Sequence, residues 1–338
     1  MTYRKATIKE VARASGVSTQ TISRVLNQRP DVAPETRGRI LQIIGEMGYT
    51  PSALARGMIR RRSLTIGVLF PRLNLNGTAL ILDAISDQAD CLGYTLLLKE
   101  APTLELERVD RLLRSLLDYR VDGIIWALPQ VGANRQYLAE MDSPAPLVLL
   151  NHAAHPQAPS ICLDYFQSGY LATRHLLEQG YQEIGLLSGP LDWWEARECK
   201  RGWEKALEAA GRGIPATAWV EGNWSPAAGD QAAARLFAQY PAVEAILTAN
   251  SQMALGVLLA ASRLGKKIPT DLGLVCLEDV SETAYFSPSL TSVALDYQSL
   301  GRLAMQKLAG LIEPKNKIQP LPAPLPPVLT VRESTRQR

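Results

Sequence analysis

Two short helical patterns on either side of a tight turn open the chain and limit what it can fold into. Thr7-Ile8-Lys9-Glu10-Val11-Ala12 begins the first pattern. Thr7 and Glu10 are spaced as a capping box, in which hydroxyl and carboxylate each satisfy a free backbone N–H. Ala14-Ser15-Gly16-Val17-Ser18 supplies the turn, and Gly16 tolerates the positive φ that such a turn demands. Ser18 caps the second pattern, which runs from Thr19 to Asn27. Its apolar set (Val17, Ile22, Val25, Leu26) faces inward and leaves Thr19, Gln20, Ser23 and Arg24 outward. A third pattern begins near Pro34-Glu35-Thr36, where proline suits the first turn of a helix. Ile40, Ile43, Ile44 and Met47 fall at i, i+3, i+4 and i+7 and close a three-helix core before Gly48. The first two helices have the helix-turn-helix layout, whose second helix fits the DNA major groove. Glutamine and arginine on that helix can form paired hydrogen bonds to adenine and guanine edges.

Charge agrees with a phosphate-binding head. Residues 1–63 carry twelve Lys/Arg and four Asp/Glu, a net of +8. The other 275 residues carry 24 and 29, a net of −5, so the chain as a whole is +3. A basic head on a mildly acidic body favours salt-dependent binding to a polyanion through the head alone.

The motifs Thr7-Ile8-Lys9-Glu10-Val11-Ala12, Gly16-Val17-Ser18, Thr21-Ile22-Ser23-Arg24-Val25-Leu26-Asn27 and Gly48-Tyr49-Thr50-Pro51-Ser52 closely resemble the head of the lactose-repressor/galactose-repressor (LacI/GalR) family of bacterial transcription regulators. The likeness extends over nearly the whole chain. It implies that Thr19, Gln20 and Arg24 read bases. Thr7, Ser18, Thr21, Ser23, Asn27 and Tyr49 are implied to fix register on the DNA backbone without specifying sequence. It also implies a division into a helix-turn-helix DNA-binding domain at 1–50, a hinge helix or linker at 51–63, and a two-lobed effector-binding and dimerisation domain at 64–338. In the family, a hinge apolar side chain wedges into the minor groove and kinks the operator. Met58 stands where the family usually has leucine, and Ala55 lies one turn earlier. Gly57 weakens the isolated hinge helix by about 1 kcal/mol relative to alanine.

The body alternates strand and helix. Leu64–Phe70, Tyr94–Leu98, Gly123–Ala127, Pro146–Asn151, Ile184–Ser188, Ala245–Ala249 and Leu272–Leu277 read as buried strands, and Ala79–Leu92 as an amphipathic helix. That rhythm predicts an α/β body of two doubly wound parallel-sheet lobes, following the all-α helix-turn-helix head in the chain. Ligands of such sheets bind beyond the strand C-termini. The body also resembles the periplasmic-binding-protein-like core of the family, which holds a small effector between the lobes. The resemblance places Leu75, Gly77, Thr78 and Asn151 of the first lobe at that cleft, and Trp193, Trp194, Arg197, Trp224, Asn250, Glu278 and Tyr297 after them. Two positions depart from the family pattern. Ser251 follows Asn250 where an aspartate is usual, and Glu278 stands in place of another aspartate.

Flat indoles with fork-like polar groups suit the C–H faces and vicinal hydroxyls of a sugar. The expected function is therefore a DNA-binding regulator, a repressor, of carbohydrate-metabolism genes with a sugar effector. A purine or nucleoside effector, which also stacks on aromatic rings, is the alternative. A solute-binding protein would share the body but has no use for residues 1–63.

Other classes lack their signatures. No apolar run approaches the ~20 residues of a membrane span, and the polar, basic start has no apolar signal region, so a cytoplasmic protein is expected. Cys91, Cys162, Cys199 and Cys276 are far apart without a C-x-x-C pair, which reads as reduced thiols and neither zinc ligands nor disulfides. No P-loop, no G-x-G-x-x-G after a strand and no nucleophile with its base appears, so neither a cofactor nor enzyme chemistry is expected. The end is proline-rich from Pro314 to Pro327, and Val328–Thr335 resembles the family's last strand. No leucine heptad follows, so a homodimer on a pseudo-palindromic operator is expected.

Overall fold

The computed structural model describes residues 6–26, 29, 31–49, 62–151, 155, 158–313 and 323–336. Asn27, Ala55 and Met58, expected to contact DNA, lie outside the described residues. The chain divides into two compact units between Leu64 and Thr65.

Among the described residues the first unit holds three helices: α1 (Ile8–Ser15), α2 (Thr19–Leu26) and α3 (Pro34–Glu46). The capping box at the start of α1 is formed: the Glu10 N–H donates to Thr7 Oγ1, and the Thr7 N–H donates to Glu10 Oε2 at 2.8 Å. Gly16 ends α1 at φ +64°, a left-handed conformation costly for other residues. Ser18 Oγ accepts from the Thr21 N–H at 3.1 Å and so caps α2. The core gathers Val11, Ala12, Ile22, Val25, Val32, Ile40 and Tyr49, with Val17, Leu26, Ile43, Ile44 and Met47 packed around it. Tyr49, implied by the resemblance to position the DNA backbone, packs in this core and is 9 % exposed.

The second unit holds two sheets. Lobe 1 is built on β1 (Thr65–Phe70), β2 (Thr95–Glu100), β3 (Gly123–Trp126), β4 (Leu147–Leu150) and β5 (Ser160–Ile161), in the order β2-β1-β3-β4-β5 with every pair parallel. Its own helices are α4 (Asn76–Leu92), α5 (Leu106–Asp118) and α6 (Gly132–Glu140). Lobe 2 contains β6 (Ile184–Ser188), β7 (Trp219–Glu221), β8 (Ala245–Thr248), β9 (Gly273–Cys276), β10 (Thr291–Ala294) and β11 (Val328–Thr330). Their order is β11-β10-β9-β8-β6-β7. Without β11 the second sheet repeats the first, and β11 joins as an antiparallel edge strand. The final strand is therefore shorter than the expected Val328–Thr335. Beyond it, Ser334 and Thr335 are buried, with Ser334 Oγ donating to Leu274 O.

The helices α7 (Tyr165–Glu178), α8 (Trp194–Ala209), α9 (Pro226–Gln239) and α10 (Ser251–Arg263) pack around lobe 2. The last helix, α11 (Tyr297–Ile312), returns to lobe 1 against α4, β3 and β4. The chain crosses between lobes at 162–164 and 295–296, and again beside Leu163, where Leu325 forms a parallel bridge. Both sheets share the order in which the direction of winding reverses between the first and third strands. Crevices open at the C-terminal ends of such strands, and here the two crevices face each other. Among the described residues no helix is long and apolar enough to cross a membrane.

Ile40 is fully buried at the centre of the head core. Ile40→Ala is expected to destabilise the head by about 2–5 kcal/mol. Hydrogen exchange should show lost protection of the α1 and α2 amides with no change in the body's sheets.

Candidate functional site

On the head, α2 presents Thr19, Gln20 and Arg24 to solvent, with Thr21 and Ser23 half-buried beside them. The Arg24 guanidinium lies 3.6 Å from the Asp31 carboxylate, and both side chains are about half exposed (50 % and 54 %). Such a pair contributes little to stability, so the guanidinium can exchange a carboxylate for a base edge at small cost. Ser18 and Thr21 are tied into the cap of α2, with 3.0 Å between their hydroxyl oxygens. Thr7 is tied into the cap of α1.

In the body, a cleft of about 850 Å³, its open mouth included, lies between the lobes. Its walls come from strand ends, as the sheet order requires. Phe70 ends β1 and Pro71 follows it, Ala127 follows β3, and Leu150 and Asn151 close β4. Ala249 and Asn250 follow β8, and Leu277 and Glu278 follow β9. Nine of the expected cleft residues line it: Leu75, Gly77, Thr78, Asn151, Trp193, Trp224, Asn250, Glu278 and Tyr297.

Two expected residues do not. Trp194 is set edge-on to the Tyr165 ring, with centroids 5.9 Å apart at 89°. Arg197 donates from Nη1 to the carbonyls of Leu191 and Asp192, both at 2.8 Å, and so braces the loop that carries Trp193. The physical reason is helical phase. The buried stripe of α8 runs through Ala196, Cys199, Gly202, Trp203, Ala206 and Leu207, which puts Glu195 and Cys199 at the cleft and turns Arg197 away. Cys199 belongs to that stripe and Glu195 lies four residues before Cys199, so extending the stripe back one turn would have found both cleft residues. Tyr165 and Asn76 also line the cleft and were not anticipated.

Many of the polar groups are committed within the protein. Asn250 Oδ1 accepts from the Met253 N–H at 2.8 Å and caps α10, while its Nδ2 donates to Trp224 O at 3.0 Å. Asn250 therefore positions Trp224, whose backbone sits at φ +72°, a conformation uncommon for a bulky residue. The Trp224 ring covers Gly189 so closely that a Cβ there would fall 2.2 Å from Cη2, and only glycine fits. Trp193 meets it at 5.6 Å between centroids and 58° between planes, forming an angled wall. Asn151 donates from Nδ2 to the Tyr165 hydroxyl at 3.0 Å and accepts from the Leu163 N–H at 3.3 Å. It is in the left-handed region at φ +54°, which asparagine tolerates better than most residues.

Glu278 spans the cleft. Its carboxylate accepts from Asn76 Nδ2 of lobe 1 at 3.1 Å, and from the Ser251 N–H at 3.3 Å and hydroxyl of lobe 2. The Gly77 N–H adds to these. The charge thus faces the positive N-terminal ends of α4 and α10 together. Burial still prevails over these donors and holds the carboxyl above its ordinary range.

Glu195 has fewer partners. Its Oε2 is buried without a hydrogen-bond partner, and burial pushes its pKa up to about 7. Burial also pushes the Cys199 thiol up to about 12, so it is protonated at neutral pH and a poor nucleophile. The arrangement suits holding a small polar molecule against flat rings. Among the described residues no group of three or more His, Cys, Asp or Glu is placed to hold a metal ion.

Glu195 makes stability depend on pH in a direction opposite to an ion-paired carboxylate. The folded chain keeps a proton up to about pH 7 that the unfolded chain releases near its ordinary 4.5. Wild-type stability is thus lost as pH rises through that window. Glu195→Gln has no proton to release and is expected to gain on the order of 2–3 kcal/mol over wild type at pH 8. The gain should fade toward pH 5 in paired thermal melts. Gly189→Ala is expected to displace the Trp224 ring, seen as a changed near-ultraviolet circular dichroism band.

Residues 7–52 match the model of the bacterial regulatory proteins of the lacI family, and residues 173–335 match a periplasmic binding protein-like domain. The HTH-type transcriptional repressor PurR of Pasteurella multocida (strain Pm70) is 30 % identical over 334 residues, 98 % of this chain and 99 % of its own. Among solved structures, the lac repressor dimer bound to operator and the anti-inducer ONPF superposes with a TM-score of 0.86 at 30 % identity. That match covers 98 % of this chain and 99 % of the repressor. A complex of the transcriptional regulator CelR with cellobiose superposes with a TM-score of 0.74 at 26 % identity, covering 98 % of this chain and 100 % of its own. Likeness of this kind from end to end, in sequence and in fold, means that the chain belongs to the lacI family of bacterial regulatory proteins and is a DNA-binding transcriptional regulator.

Proposed function

We propose that the protein is a homodimeric repressor whose operator affinity is set by a small carbohydrate held between its lobes, with the exposed face of α2 reading the operator. The observation that carries this reading is the cleft itself. It is walled by the angled Trp193–Trp224 pair, floored by strand ends of both lobes, and supplied with amide and carboxyl groups. Indole faces take the C–H surface of a sugar ring, and carboxyl groups take its hydroxyls in pairs. The likeness to a regulator solved with cellobiose and to a repressor dimer solved on its operator supports the same assignment. A nucleobase is the second reading, favoured by the flat rings that line the cleft: Phe70, Tyr165, Trp193, Trp224 and Tyr297.

The coupling follows from where the cleft lies. Asn76 and Gly77 open a helix of lobe 1, whereas Ser251 and Glu278 belong to lobe 2, and the hydrogen bonds among them set the distance between lobes. A molecule that makes different contacts in two lobe arrangements shifts the balance between them. DNA and effector then oppose each other by one coupling free energy, about 1–3 kcal/mol, felt equally from either side.

The test is selection of genomic fragments by the purified protein at near-physiological salt, alone and with a pool of sugars and nucleosides. One palindrome should be enriched and then lost when the pool is added. No enrichment in either condition overturns the assignment. Arg24→Ala is expected to cost about 1–3 kcal/mol on the selected palindrome and to relax preference at a single base pair. A uniform loss over all sequences would make Arg24 a phosphate contact.

A further inference from the structure

The ionisable groups at the cleft bear on the chemistry of its occupant. Two carboxyl groups line it, Glu195 and Glu278, and among the described lining residues there is no lysine, arginine or histidine. Cations nearby are directed elsewhere. Arg197 is bound to the carbonyls of Leu191 and Asp192, and Arg72, at the outer groove beyond the two indoles, donates to Pro102 O at 3.2 Å. Burying an ion without a partner is costly, so this cleft disfavours a phosphorylated sugar, a uronate or a nucleotide.

The two carboxyl groups are not equivalent. Glu278 is filled by donors from both lobes. Glu195 keeps Oε2 buried and unpartnered, and the Trp224 indole N–H is likewise buried without an acceptor. The groups that face Glu195 are the Tyr165 hydroxyl from α7, Cys199 and Arg197 from α8, and the Tyr297 hydroxyl from α11. None of these supplies a cation in contact with Oε2. A buried acceptor left empty by the protein calls for a donor from the ligand.

We infer that the effector carries a primary amino group that donates to Glu195 Oε2 while its ring lies against Trp193 and Trp224. This rests on the reading of the cleft as the effector site, and it narrows that site to amino-bearing ring compounds. An amino sugar and an amino-substituted nucleobase share this chemistry. A hydrogen bond to a charged acceptor is stronger than one to a neutral acceptor. A sugar amine can carry a positive charge that its hydroxyl counterpart lacks. A nucleobase amine supplies a donor where the oxo group offers only a lone pair to the carboxylate. The amino compound therefore gains over its counterpart, and the gain depends on the charge at position 195. Burial at Glu195 keeps its carboxyl ready to change charge near neutrality, so the preference is read at pH 8, where the carboxylate predominates.

The experiment titrates the full chain at pH 8, following tryptophan fluorescence and thermal stability. One arm pairs glucosamine, galactosamine and mannosamine with the parent sugars and their 6-phosphates. The other pairs adenine and guanine with hypoxanthine and with AMP. One amino compound is expected to bind about tenfold to a hundredfold tighter than its partner without the amine, and its arm names the source. The phosphates should bind more weakly than either. Glu195→Gln, with its fold checked by circular dichroism, should shrink the amine preference to within about threefold, because the neutral amide has no charge to favour the donor. Equal binding of both members, a preference that survives Glu195→Gln, or tighter binding of a phosphate overturns the inference. If neutral compounds bind and release DNA without any amine preference, the inference fails and the effector cleft stands. If no compound in either arm binds, the cleft reading fails and takes the inference with it.

Discussion

The carboxylate of Glu278 joins the two halves of the body. It leaves the end of β9 in lobe 2 and is received by Asn76 and Gly77 at the start of α4 in lobe 1, and by Ser251 at the start of α10. Two helix N-termini facing each other would leave unsatisfied N–H groups and repel. One carboxylate between them satisfies both and converts the repulsion into a link across the cleft. The residue is 4 % exposed, so solvent does little to weaken the link, and its carboxyl still titrates above the ordinary range because burial opposes the charge. A joint of this kind holds the lobes at a defined distance and remains sensitive to any new donor or acceptor that enters beside it.

Several local strains are arranged around that joint. Trp224 sits at φ +72° and Asn151 at φ +54°. The first is held by Asn250, and the second is stitched to Tyr165 and Leu163. Residues in such conformations persist where their surroundings over-determine them, and they cluster at ligand sites. Gly189 allows the Trp224 ring to lie directly on the backbone of lobe 2. The tryptophan wall is therefore a built surface, held by Asn250 at the cleft and backed by Gly189 and Arg197, which do not line it.

The head was the most legible part of the chain. Its capping box, its glycine turn and its three-helix core follow from spacing over a few residues, and the structure forms each where the spacing places it. The strands that floor the cleft were also legible, because fully buried parallel strands read as continuous apolar runs. The short β5 and β7 carry too few side chains to give a pattern, and Thr291-Ser292-Val293-Ala294 of β10 is not the continuous apolar run that marked the other strands. Tyr49 could be placed by motif likeness, but not its burial, which depends on the packing of α1, α2 and α3 together.

By itself the sequence determined the three-helix basic head, the longer buried strands whose ends meet at the cleft, and the family. The head, its charge and the buried strands are written in periodicity, caps and charge, which act between near neighbours, whereas the family and the cleft positions rest on likeness of motifs. The tertiary structure alone decided which polar groups are occupied and which are open. Asn250, expected to face a ligand, spends its amide on Trp224 and Met253. Glu278 finds its partner Asn76 across 202 positions of chain. Arg197 points to a loop while Glu195, two residues earlier, points to the cleft with an unmet oxygen. The reason is that hydrogen-bond satisfaction inside a protein is a property of whatever distant groups packing brings within about 3 Å. No local pattern encodes that arrangement.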